Sequence, residues 1–117
     1  MRPLTLALFA ILAFCVWFFL WYPEVALQSQ KRIERDRHSR IAVDIQALHA
    51  RLESYKIQNG VYPTTKQGLA MLGTQPSDPW NDYYVYRCPG LHNRSGYDLF
   101  SCGADRKPDT PDDDWGE

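Results

Sequence analysis

Charge is nearly absent from the first part of this 117-residue chain: before Glu24 only Arg2 carries it. A segment so apolar is not a water-exposed helix. Histidine is scarce, and His38, His49 and His92 stand at no metal-ligand spacing. No serine or cysteine shares a motif with a base, and no cofactor-binding residues are expected. An enzyme and a small-molecule substrate are therefore not expected. Net charge is only -1, which excludes a global electrostatic partner. Lys31, Arg32, Arg35, Arg37 and Arg40 crowd one stretch, but no aromatic or glycine motif accompanies them, so nucleic-acid binding is not expected. Three cysteines cannot all pair within one chain. Internal repeats are absent. The length allows one small domain plus a tether. Without its apolar start the chain has about ninety residues, a size at which the core is thin and a staple, a metal or packing against other chains helps.

What is present begins with Leu4 to Tyr22, apolar except for Thr5. At helical rise the run reaches about 28 Å, close to the thickness of a bilayer core. Trp17, Trp21 and Tyr22 stand near its end, as interfacial aromatics do. A cleaved signal peptide is the rival reading. The run is longer than such segments usually are, no small-x-small cleavage site follows, and Phe14 before Cys15 does not suit a lipoprotein signal. Residues 1–27 are expected to be an uncleaved transmembrane anchor and 28–117 the globular domain, including the amphipathic half of a long helix. One cation precedes the span and five follow it, which by the positive-inside bias places the domain in the cytoplasm.

Pro23 interrupts the apolar run without having to end the helix, because water near a membrane surface can satisfy the freed carbonyl. Ile41, Ile45, Leu48, Leu52 and Tyr55 then recur at steps of four and three, giving one apolar stripe opposite Asp44, Arg51, Glu53 and Lys56. Asn59-Gly60 is a helix stop. Thr64 to Gln67 fits a capping box opening a short helix that turns Leu69 and Leu72 inward and stops at Gly73. Tyr83 to Arg87 and Tyr97 to Ser101 read as strands joined by a hairpin loop at Pro89 to Gly96.

That hairpin sets Cys88 opposite about Tyr97, and Cys102 then lies about five residues further along, roughly 16 Å away. A disulfide needs Cα atoms within about 7 Å. Exported domains favour a Cys88–Cys102 bond, which would require another register or a bend at the strand end. Cys15 is a lipid-facing or packing residue. Beyond Gly103 the chain is polar and broken by Pro108 and Pro111, and left alone it should be disordered. Asp105, Asp109 and Asp112-Asp113-Asp114 supply hard oxygen donors of the kind calcium takes, but not at EF-hand spacing. By composition alone the tail is a solvated acidic segment.

Tyr62-Pro63-Thr64-Thr65-Lys66-Gln67-Gly68-Leu69 resembles the motif after the long helix in the major pseudopilin of type II secretion systems. Asp78-Pro79-Trp80, Tyr86-Arg87-Cys88-Pro89-Gly90 and Tyr97 to Asp105 follow that family's order, and Ala42 to Leu48 with Tyr55-Lys56 fit its helix. The resemblance covers about residues 40 to 115. It implies an α+β, pilin-like fold: a long N-terminal membrane helix packed on a small antiparallel sheet with a C-terminal calcium loop. It implies Ca2+ held by the carbonyl of Cys102 and the side chains of Asp105, Asp112 and Asp113, with Asp109 and Asp114 facing solvent. It also implies a single pass through a bacterial inner membrane with the C-terminal domain in the periplasm, opposite to the charge count.

Members of the family begin with a basic leader ending in glycine and carry a glutamate early in the apolar helix. Neither precedes Glu24, so the expectation is an atypical member without the prepilin leader. The function implied is a structural subunit of a type II secretion apparatus, assembling through its apolar helix with copies of itself or with other pseudopilins. The alternative is a permanently membrane-anchored calcium-binding interaction module that does not enter a filament.

Overall fold

The computed structural model describes residues 3–73 and 75–117. The chain divides into two compact units, Met1–Arg35 and Asp36–Glu117. One helix, α1 (Pro3–Asn59), contributes to both and runs through Pro23 without ending. In the first unit its side chains are exposed, Leu4 at 74 % and Phe19 at 83 %. Aromatic rings stack along the helix at intervals of one turn, Trp17 on Trp21 and Phe18 beside Tyr22, each pair with centroids 5.1 Å apart. Among the described residues this is one helix long and apolar enough to cross a membrane.

In the second unit the expected stripe is the buried one. Ile41, Ile45, Leu48 and Leu52 are 0–3 % exposed, and Tyr55 is half-buried. Asp44, placed by periodicity on the polar face, is half-buried and accepts a hydrogen bond from the Tyr84 hydroxyl at 2.8 Å. The helix ends where Asn59-Gly60 predicts: the Gly60 N–H donates to the Lys56 carbonyl at 2.7 Å, and Gly60 has φ 81°, a conformation glycine adopts without strain.

The capping box forms, with the Thr64 N–H donating to Gln67 Oε1 at 2.8 Å and the Gln67 N–H to Thr64 Oγ1 at 3.3 Å. It opens a turn rather than a regular α-helix, because Gly68 at φ 61° breaks the path. A 3₁₀ helix, η1 (Leu69–Leu72), follows and stops at Gly73 in the left-handed region. Leu69 enters the core and Leu72 packs at its edge.

Two strands, β1 (Val85–Arg87) and β2 (Asp98–Phe100), pair antiparallel, shorter than the alternation predicts. Val85 faces Phe100, Tyr86 faces Leu99 and Arg87 faces Asp98. That register sets Cys88 level with Tyr97, as the loop length implies, and Cys88 and Cys102 are both free thiols. Tyr86 and Leu99 join the helix stripe in the core. Because side chains alternate across a sheet, Phe100 and Asp98 point the other way, yet all three β2 residues are buried. The cover on that second face is the polar tail. Ser101 and Asp114 exchange main-chain hydrogen bonds, both at 2.9 Å, and the Trp115 ring lies 4.5 Å from that of Phe100. The tail that composition reads as disordered is therefore folded, held by this long-range pairing.

Leu52→Ala, in the middle of the stripe, is expected to lower the unfolding free energy by about 2–5 kcal/mol. Tyr83→Ala, at an exposed position, should change it by about 0.5 kcal/mol or less. Denaturant unfolding of the full chain in detergent checks both, and equal effects would contradict the core assignment.

Candidate metal centre

The segment from 102 to 113 is a loop closed at its base by the Ser101–Asp114 pairing. Glycine is required at its start. Gly103 has φ 69°, and a Cβ there would collide with the main-chain oxygen and carboxylate of Asp112. The two ends of the loop can thus approach only because position 103 lacks a side chain. The Gly103 N–H is met by Ser101 Oγ at 3.1 Å.

The sequence-derived ligand set is distributed as follows. Cys102 is buried, and burial pushes its thiol pKa up, with the carboxylates of Asp113 and Asp105 adding to the effect. The Asp105 N–H donates to Asp112 Oδ2 at 2.8 Å, so these two residues are brought together. Asp105 Oδ1 accepts the Lys107 N–H at 2.9 Å. That bond, with one from the Thr110 hydroxyl, holds the Asp105 carboxyl below the usual range. Asp113 Oδ2 accepts the N–H groups of Asp109 and Thr110, at 2.7 and 3.2 Å. Asp113 Oδ1 is buried and has no hydrogen-bond partner. Such an atom loses its hydration on folding without return, and a hard cation is a chemically suitable partner. Among the described residues no three His, Cys, Asp or Glu side chains already converge as a metal cluster.

Two arginines hold the loop from either side. The Arg87 guanidinium donates to both carboxylate oxygens of Asp109, at 2.8 and 2.9 Å, and holds that carboxyl below its ordinary range. Arg106, at φ 56°, donates to the Trp80 carbonyl at 2.8 Å and pairs with Asp82 at 3.3 Å. Asp114, expected to face solvent, is instead largely covered, its side chain 18 % exposed against His38. His38 Nδ1 lies 2.7 Å from Asp114 Oδ2, and Nε2 lies 3.1 Å from the main-chain oxygen of Glu117. Both partners are acceptors, so the imidazolium suits the site, and the Asp114 hydrogen bond raises the His38 pKa. Asp109 is about half exposed but ion-paired.

Sequence reasoning missed two buried carboxylates that shape the neighbouring turns. Asp78, 2 % exposed, accepts the N–H groups of Trp80 and Asp82, at 3.0 and 2.9 Å, and the Ser101 hydroxyl. Asp98, 1 % exposed, accepts the N–H groups of Leu91, His92 and Asn93 at 2.7–3.0 Å. A Cβ on Gly90 would strike the Asp98 carboxylate, so glycine is needed there. A signal for both existed in the turn-forming Asp-Pro and Pro-Gly dipeptides, but their hydrogen-bond donors come from the folded loops. The remaining histidine, His49, bonds the Tyr97 hydroxyl, and burial lowers its pKa.

Burial alone would raise the Asp98 pKa, but the hydrogen bonds from His92, Asn93 and Leu91 outweigh it and the value is lowered from 3.8. A depressed folded value means stability that is complete above 3.8 and lost as pH falls through the lower folded value. Thermal melts of wild type between about pH 2 and pH 6 should therefore decline at the acid end, and Asp98→Asn should flatten that decline. An unchanged acid slope in the variant would assign the effect elsewhere.

A family model for type II secretion system (T2SS) protein G matches residues 28–77 and 73–116. The type II secretion system core protein G of Klebsiella michiganensis is 38 % identical over 93 residues, covering 63 % of this chain and 64 % of that protein. The core protein G of Dickeya chrysanthemi is 38 % identical over 89 residues, covering 60 % and 57 %. That of Klebsiella pneumoniae is 33 % identical over 99 residues, covering 68 % and 69 %. The chain thus spans somewhat under two thirds of the first two relatives. Among solved structures it is similar to the major pseudopilin from the type 2 secretion system of enterohaemorrhagic Escherichia coli. The TM-score is 0.64 at 29 % identity, over 72 % of this chain and 89 % of that one.

Proposed function

We propose, from the premise that this chain belongs to the type II secretion system protein G family, that it is a pseudopilin-type structural subunit of a secretion apparatus. The family is structural rather than enzymatic. The observation that carries the proposal is the likeness to a major pseudopilin over 89 % of that structure, joined to an apolar helix whose side chains are all exposed in the first unit. A helix in that state has two places to put its apolar surface: lipid, and the helices of neighbouring subunits. The second makes the helix an assembly element as well as an anchor, with copies of the chain or other pseudopilins as partners. Residues 1–27 would span a bacterial inner membrane once, and 28–117 would stand in the periplasm. The family premise supports that orientation against the five cations that follow the span.

The cross-linking pattern in native membranes, with the other secretion components present, tests assembly. Adducts with copies or partners are expected. Monomer alone would favour the anchored calcium-binding module that stays outside any filament.

The second part of the proposal is Ca2+ in the C-terminal loop, held by Asp105, Asp112, Asp113 and the carbonyl of Cys102. Support comes from the orphaned Asp113 Oδ1 and from the glycine that lets the loop ends meet. The ion would supply positive charge where carboxylates repel one another, and binding energy that becomes folding energy. This chain's own residues close the loop base, saturate Asp113 Oδ2 and join Asp105 to Asp112.

At a hundredfold excess over its Kd a single bound ion adds about 2.7 kcal/mol to stability. Chelation is expected to lower the melting temperature of wild type, and Asp105→Ala to remove that sensitivity. A wild-type melt indifferent to chelator would count against the site.

A further inference from the structure

Arg87 and Asp109 lie outside the proposed ligand set, yet a continuous line of contacts leads from them to its buried oxygen without a hydrogen-bond partner, Asp113 Oδ1. Arg87 is on β1, its side chain 19 % exposed, with the guanidinium carbon 5.4 Å from the centroid of the Phe100 ring. Phe100 is fully buried, so the arginine is seated on the fixed part of the sheet. Its two parallel hydrogen bonds take both oxygens of Asp109, a geometry that sets orientation as well as distance. Asp109 occupies the left-handed region at φ 64°. That conformation directs its N–H to Asp113 Oδ2 at 2.7 Å, and the next N–H, from Thr110, reaches the same oxygen at 3.2 Å. With Oδ2 engaged twice, Asp113 is left with Oδ1 buried and unsatisfied.

We propose that Arg87 and Asp109 are positioning residues for the cation loop: their bidentate pair holds the turn that makes Asp113 present Oδ1 to the ion, although neither residue is a ligand. The proposal rests on the calcium reading above. Two physical effects oppose each other at Arg87. Its positive charge repels a divalent cation, whereas its hold on Asp109 arranges an oxygen for that cation in advance. The pair is neutral as a unit and paired at short range, so its net field at the ion is small and the arrangement decides. Outer residues that orient ligands are typically worth tenfold or more in metal affinity.

The sign of the effect of Arg87→Met separates the two. Methionine keeps an apolar stem over Phe100 and removes the charge and both hydrogen bonds. Pure electrostatics predicts tighter calcium binding, since Asp109 is left as an extra anion, and positioning predicts weaker binding. Calcium titrated calorimetrically into the full chain in detergent is the measurement, with circular dichroism in chelator confirming the fold of each variant. Affinity should fall about tenfold in Arg87→Met. It should fall similarly in the double variant Arg87→Met, Asp109→Asn, which replaces one neutral pair by another. Asparagine tolerates the left-handed conformation of position 109, so Asp109→Asn alone adds no backbone strain, but it keeps at most one of the two parallel bonds and is also expected to bind more weakly. If Arg87→Met does not fold, Arg87→Lys keeps charge and stem but only one of the parallel bonds, and should lie below wild type. Variants that bind calcium as tightly as wild type, or more tightly, would overturn the positioning role while leaving the site intact. No calcium binding by wild type would overturn the calcium reading and this proposal together.

Discussion

The burial of one helix stripe on one face of a two-stranded sheet is the contact on which the rest of the second unit depends. Two strands are too few to be stable in water by themselves. Ile41, Ile45, Leu48 and Leu52 supply one cover, against Tyr86 and Leu99. The other face carries Phe100 and Asp98, and a bare sheet surface there would leave both in water. The C-terminal segment supplies the second cover by returning to pair Asp114 with Ser101 and to lay Trp115 on Phe100. A small apolar core is thereby sandwiched between an amphipathic helix and a polar tail, which explains how a domain of this size sustains a folded state.

Closing such a structure forces polar groups inside, and the chain meets that constraint with carboxylates. Asp78 and Asp98 are each 2 % exposed or less, and each is surrounded by main-chain N–H donors from the turn it organises. A buried charge is tolerable only when its hydrogen bonds replace those of water. The same logic, left incomplete, marks Asp113, whose second oxygen has no protein donor. Among the described residues, the buried carboxylates of Asp78 and Asp98 are answered by N–H groups, whereas the buried Oδ1 of Asp113 is not. The loop is held on β1 by Arg87 and on the turn after Asp78 by Arg106, so its shape is tied to the sheet rather than to its own composition.

Much of the scaffold was legible from residue order. The apolar run from Leu4, the stripe at steps of four and three, the Asn59-Gly60 stop and the hairpin register are all set by neighbours close in sequence. The short helix was half legible: Thr64 and Gln67 make their reciprocal bonds, but Gly68 turns the chain into a 3₁₀ segment. The tail was misread by composition because its order comes from partners far along the chain, Ser101, Phe100 and His38. The partners of Asp109 and Asp114 were hidden for the same reason. Their nearest cations in sequence are not the ones they bind, since Arg87 and His38 arrive from β1 and from α1.

The apolar helix near the start of the chain is determined by sequence alone, because a single uncharged run of that length satisfies its backbone hydrogen bonds within itself only as a helix. The helix stripe and the two strand segments are determined likewise, by periodicity. Only the tertiary structure decided which side chains surround the acidic loop. The contacts that fasten the loop and its base to the rest of the fold join residues 22 to 76 positions apart, and those pairings exist only after helix, sheet and tail have closed on one another.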